Sequence, residues 1–114
     1  MKIESGSLYH VSMPLIAPFE TSFGRETNRQ CIIIEIRSEG HVGYGECVAT
    51  RDPGYSYETT GTSMHILKDF IAPLLLGKDL KDAVDFQEKV SGIRGHHLAK
   101  AGVEMAIWDL LGKR

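Results

Sequence analysis

The chain alternates in its first half and turns helical in its second. Residues 31–37 (CIIIEIR) place Ile32, Ile34 and Ile36 on one face and Cys31, Ile33, Glu35 and Arg37 on the other, the period of two that marks a strand. Ser38-Glu39-Gly40-His41 is a turn signal, and Val42-Gly43-Tyr44-Gly45-Glu46-Cys47 follows it. Residues 31–37 and 41–47 therefore read as an antiparallel hairpin. A turn centred between Glu39 and Gly40 pairs positions whose numbers sum to 79. Residues 2–13, with Ile3, Tyr9, Val11 and Met13 on one parity, supply a third strand. From residue 59 the period changes. Met64, Leu67 and Ile71, with Ile66 and Phe70, recur at helical spacing until Pro73, which is expected to end the run. Asp79 is expected to cap a helix that uses Leu80, Ala83, Val84, Phe86 and Val90. A last helix covers His97–Leu111 and stops at Gly112-Lys113-Arg114. Strands followed by helices specify an α+β fold, a three-stranded antiparallel meander with helices after it.

Two stretches carry neither period. Residues 14–30 (PLIAPFETSFGRETNRQ) contain Pro14, Pro18 and Gly24 and read as a connection long enough to be functional or disordered. Residues 48–58 (VATRDPGYSYE) are the second, around the Pro53-Gly54 turn. If the hairpin is right, both leave the same end of the sheet, away from the Glu39-Gly40 turn. They carry Leu15, Ile16, Phe19, Phe23, Tyr55 and Tyr57, which either form a contact surface or fold back onto the sheet.

The last helix has two apolar stripes. One holds Leu98, Ala101, Met105 and Trp108, the other Val103, Ala106, Ile107 and Leu110, with a narrow polar line through His97, Lys100 and Glu104. A helix apolar nearly all round needs partners on more than one side. The pattern implies a chain that is part of something larger, or one that self-associates, with domain swapping as one route.

Length and charge narrow the field. At 114 residues the chain cannot hold a barrel of ~250 residues. A net charge of -2 without basic clusters argues against nucleic acid as a partner. No apolar run approaches the ~18 residues of a membrane span, and the first ten residues lack the apolar core of a secretory signal, so a cytoplasmic location is expected. Cys31 and Cys47 sum to 78, one residue out of register, and read as packed thiols on opposite faces. His10, His41, His65, His96 and His97 show no metal-binding spacing. Gly40, Gly43 and Gly45 do not match the dinucleotide fingerprint and instead mark a bulge or a close backbone approach. Glu35 and Glu46 are carboxylates without an identifiable partner. Asp109, among apolar neighbours, is expected to bond to backbone. These residues alone specify no reaction.

A resemblance supplies more. Met13-Pro14-Leu15, Ala17-Pro18-Phe19-Glu20-Thr21-Ser22-Phe23-Gly24, Gly43-Tyr44-Gly45-Glu46-Cys47 and the run from Gly95-His96-His97-Leu98-Ala99-Lys100 to Ala106-Ile107-Trp108-Asp109 occur in that order. Together they resemble the N-terminal part of the enolase superfamily, muconate-lactonizing branch. The Ala-Pro-Phe-x-Thr-Ser-Phe-Gly and Gly-His-x-x-Ala-Lys stretches resemble the o-succinylbenzoate synthases and N-acylamino acid racemases within it. The resemblance implies that residues 1–95 are a capping domain and that 96–114 are the first helix leading into a (β/α) barrel absent from the chain. It implies that the two connections shape the substrate pocket, with Phe19, Phe23, Thr50 and Tyr55 as pocket walls. The parent enzyme would abstract a proton α to a carboxylate and stabilise the enediolate on Mg²⁺, forming o-succinylbenzoate for menaquinone synthesis or racemising N-acylamino acids. None of Lys68, Lys78, Lys81, Lys89 or Lys100 lies in the family's Lys-x-Lys motif. The chain itself is therefore expected to carry no catalytic or metal residue, to bind no Mg²⁺ and to be inactive alone. Its implied partners are its own C-terminal barrel and a small carboxylate substrate. A dipeptide epimerase, a muconate cycloisomerase and a free-standing, non-catalytic α+β binding module are the alternatives.

Overall fold

The computed structural model describes residues 1–21, 24–49 and 57–113, with the backbone alone for 13–21 and 24–29. Strands β1 (Ser5–Thr21), β2 (Gly24–Ser38) and β3 (His41–Cys47) form an antiparallel sheet in the order β1-β2-β3. Helix α1 (Thr60–Ile66) runs through a π-helical turn (Leu67–Ile71) into α2 (Ala72–Leu75), followed by α3 (Ala83–Lys89) and α4 (His97–Lys113). The meander followed by helices is the fold the alternation and spacing predict.

The β2–β3 register runs from Ser38↔His41 to Ile32↔Cys47, the pairing set by the turn. Glu39 and Gly40 have φ of 53° and 80°, the positive pair that a two-residue hairpin turn needs to match strand twist. Ile32, Ile34 and Ile36 form the core with Leu67, Ile71, Leu75, Phe86, Val103 and Ile107. Cys31 and Cys47 are both buried thiols.

Four local expectations are corrected. The core-facing parity of β1 is that of Leu8, which lies opposite Ile34, while Tyr9 and Val11 lie opposite Ile33 and Cys31. Ile3 misleads the alternation because it precedes the strand: its backbone bonds to Gly77 and Lys78, and its side chain joins the core from outside the β1 ladder. Residues 14–21 and 24–30 are not an irregular connection. β1 and β2 continue through them as a two-stranded arm, with a register shift between Pro14 and Phe19. β1 is an edge strand, where prolines and bulges are tolerated.

Pro73 does not end the second-half helix. Ala72 N–H reaches back to the Leu67 carbonyl across the π turn, and Pro73 then opens α2, where a missing N–H costs nothing. Asp82, not Asp79, caps α3 by accepting from Asp85 N–H at 2.8 Å. Asp79 instead pairs with the N-terminal ammonium at 3.0 Å.

The α4–β3 crossing is made by glycine. A Cβ on Gly43 would lie 2.3 Å from the Ala106 carbonyl oxygen, and one on Gly45 1.9 Å from that of Gly102. Gly102 returns the contact, its Cβ position being 3.1 Å from the Cys47 nitrogen, and it also meets β2 at 2.8 Å from Ile34 Cδ1. The close backbone approach expected at these glycines is therefore where the last helix docks. α4 also closes the open edge of β3. Tyr44 N–H donates to Asp109 Oδ2 at 2.9 Å, and Lys113 Nζ donates to the Val42 carbonyl at 2.7 Å and to Asp109 at 3.0 Å. The Tyr44 amide first, then Lys113, holds the Asp109 carboxyl below its ordinary value. Val103, Ala106, Ile107 and Leu110 are buried by this contact, while Met105 and Trp108 are 51% and 59% exposed.

Candidate functional site

The β1–β2 arm and the start of the second connection leave the sheet at the same end, the one that carries Cys31 and Cys47. Beyond the Val11↔Cys31 pair, β2 has no β3 partner and pairs with β1 alone out to Thr21↔Gly24. Leu15 to Pro18 stand opposite Thr27 there, so the arm is bent by its bulge. Phe19 belongs to this arm, its backbone paired with Glu26, and its side chain lies outside the described residues. Phe23, Thr50 and Tyr55 lie outside the described residues altogether. The second connection leaves from Cys47 at the same end, as the hairpin geometry requires.

The C-terminal root of that connection is built in detail. Glu58, 3% exposed, accepts Leu98 N–H at 3.0 Å on each carboxylate oxygen and Ala99 N–H at 3.3 Å. A carboxylate at a helix start satisfies amides that have no intrahelical partner and is favoured by the helix dipole. The Tyr57 hydroxyl accepts His96 N–H at 2.5 Å, and its ring meets the His96 ring edge-on at 5.5 Å. Gly95 must be glycine at this point: its φ is +68°, and a Cβ would fall 2.2 Å from the Tyr57 hydroxyl. The Gly-His-x-x-Ala-Lys stretch thus starts α4 against the root of the second connection, and Lys100 Nζ bonds back to the Ile93 carbonyl. Thr60 Oγ1 donates to the Ala49 carbonyl at 3.2 Å, which ties that root to the other.

Glu58 was invisible to pattern reading because its partners lie 40 and 41 residues downstream. Its one local signal is an acid just before Thr59, the α1 cap that forms a reciprocal pair with Thr62. Tyr57 is no free-standing aromatic, since its hydroxyl and ring are both engaged. Glu35, read as partnerless, has two partners: the Tyr9 hydroxyl donates to it at 2.8 Å and the Arg37 guanidinium pairs with it. Register creates the Tyr9 contact, because Tyr9 lies on the face that Glu35 shares, while Arg37 lies two residues along the same strand. Asp109 bonds to backbone as expected.

An apolar groove of about 540 Å³ lies elsewhere, between β1 and the α1–α2 run, lined by residues such as Leu8, Ile36, Met64 and Leu75. It sits toward the Ser5 end of the sheet. Among the described residues no three His, Cys, Asp or Glu side chains cluster to hold a metal ion. No helix among the described residues is long and apolar enough to cross a membrane.

The meander with its glycine-docked helix is the fold of an enolase-superfamily N-terminal domain. Residues 5–114 match the family described as mandelate racemase / muconate lactonizing enzyme, N-terminal domain, and the chain belongs to it. It is 42% identical over its whole length to an o-succinylbenzoate synthase of Geobacillus kaustophilus, covering 31% of that protein. It is 38% identical over 99% of its length to an N-succinylamino acid racemase of Thermus thermophilus, again covering 31%. A crystal structure of an enolase-superfamily member from Listeria innocua superposes with a TM-score of 0.94 at 38% identity, over 99% of this chain and 31% of that one. The chain thus spans about a third of the length of the relatives it matches.

Proposed function

We propose that the chain is the capping domain of a Mg²⁺-dependent enzyme of the o-succinylbenzoate synthase and N-succinylamino acid racemase type. In this reading the chain walls the substrate pocket through Phe19, Phe23, Thr50 and Tyr55. The Mg²⁺ ligands and the proton-transferring lysines belong to a C-terminal barrel that begins after a boundary near residue 95. The walls exclude water from the reacting centre and set which side chain fits. The parent reaction is proton abstraction α to a carboxylate, leading to o-succinylbenzoate for menaquinone synthesis or to racemised N-succinylamino acids, in the cytoplasm.

One observation carries the reading: the 42% identity to an o-succinylbenzoate synthase extends over 100% of the chain, both connections included. A cycloisomerase is the second reading, supported by 33% identity to a chloromuconate cycloisomerase of Pseudomonas putida. Both are tested by expressing the full reading frame and assaying it with Mg²⁺ on three substrates. These are the cyclohexadiene carboxylate precursor of o-succinylbenzoate, N-succinylamino acids and muconate. Turnover of either of the first two supports the proposal. Turnover of muconate alone selects the cycloisomerase, and inertness on all three selects a non-catalytic module.

A further inference from the structure

The two roots of the 48–58 connection are tied to each other and to α4 by a closed ring of contacts. Ala49 is 2% exposed, and its carbonyl accepts the Thr60 hydroxyl at 3.2 Å. Two residues before Thr60, Glu58 takes the Leu98 and Ala99 amides. One residue further back, Tyr57 takes the His96 amide. α4 then runs back to β3, where the Cβ position of Gly102 lies 3.1 Å from the Cys47 amide nitrogen. Cys47 leads through Val48 to Ala49, and the ring closes.

An ordinary helix start would be capped by its own flanking residue. Here the flanking residues are Gly95 and His96, both at positive φ, and neither is a Ser, Thr, Asp or Asn. The cap is delivered instead by the root of the connection. Forming the first turn of α4 and placing the root are therefore one event.

We propose that Glu58, assisted by Tyr57, is a positioning residue. It touches no substrate, and it holds the ends of the 48–58 connection at one place relative to β3 and α4, so that substrate affinity depends on it. This rests on the enzyme reading above.

Two measurements separate the claims. In the 114-residue chain, amide exchange is followed in Glu58→Ala, Glu58→Gln and Tyr57→Phe. Glu58→Ala is expected to accelerate exchange at Leu98, Ala99 and the root residue Tyr57 by about tenfold or more, the factor for a lost charge-assisted bond. Glu58→Gln keeps one carbonyl oxygen and falls between. Unchanged protection in both Glu58 variants would overturn the ring. In the full-length enzyme, Glu58→Ala is expected to raise KM about tenfold with kcat held within about threefold. Glu58→Gln should restore part of the affinity, and Tyr57→Phe, the mildest variant, should shift KM the same way by less. If exchange accelerates and KM does not move, Glu58 is a helix cap only and the positioning role is overturned. A full-length protein without turnover overturns the enzyme reading and the affinity claim, while the exchange data still decide the ring.

Discussion

Replacing Gly45 with alanine tests how the last helix is held. The new Cβ would stand 1.9 Å from the Gly102 carbonyl oxygen and 2.9 Å from the Ala106 nitrogen. Both obstacles are backbone of α4, so no side-chain rotation relieves them. Restoring an ordinary C···O contact near 3.3 Å requires α4 to retreat by about 1.4 Å. A gap of ~1 Å already forfeits up to half of the dispersion energy across it, and the gap would run under Val103, Ala106, Ile107 and Leu110, all at most 3% exposed. Overpacking costs ~1–3 kcal/mol when side chains can yield, occasionally more. With backbone as the obstacle we expect about 3 kcal/mol. At roughly 4 °C per kcal/mol for a chain of this size, the melting temperature should fall by about 12 °C. Urea and thermal unfolding followed by circular dichroism measure this, with Gly92→Ala as the control. A Cβ on Gly92 meets nothing within 4 Å, and its substitution should stay within ~0.5 kcal/mol. If Gly45→Ala is as harmless as the control, the close crossing of α4 and β3 is refuted.

Other predictions follow from single contacts. Because the folded Asp109 carboxyl is held below its ordinary 3.8, its contribution is complete above that value and is lost as pH falls through the lowered one. Asp109→Asn should therefore flatten the loss of urea resistance as pH falls below 3.8; an unchanged pH profile contradicts this. The Ser63 hydroxyl is fully buried with no hydrogen-bond partner among the described residues. Ser63→Ala should leave stability unchanged or raise it by up to ~1 kcal/mol, and a clear loss in chemical denaturation would show that a partner exists. The exposed Met105 and Trp108 should make the 114-residue chain associate with rising concentration in sedimentation velocity. Lysine at both positions should abolish the association, and a concentration-independent wild-type monomer would contradict it.

What could be read in the sequence was whatever local repetition encodes. The β2–β3 register follows from a two-residue turn, and the buried stripe of α4 follows from its spacing. The β1–β2 arm beyond Cys31 was not legible as strand, because β3 ends at Cys47 and nothing there imposes alternation on two strands. Pro14 and Pro18 then suggested a break where the arm has only a bulge. Pro73 misled similarly, since a π turn is a change of register that composition does not announce. In the candidate site the Gly-His-x-x-Ala-Lys stretch was recognisable as a motif, but its physical partner was not. Glu58 reaches Leu98 only after the sheet and helices have assembled.

The central claim is that this chain shapes the substrate pocket while the chemistry belongs elsewhere. Its most direct test is the steady-state kinetics of Phe19→Ala and Tyr55→Ala in the full-length enzyme on two carboxylate substrates that differ in side chain. The account predicts that the ratio of kcat/KM between the substrates shifts by about tenfold, roughly the discrimination that hydrophobic pocket contacts supply. It also predicts that kcat on the better substrate stays within about threefold, as for lost ground-state binding. A collapse of kcat with KM and the ratio unchanged would contradict it, placing transition-state chemistry in this chain.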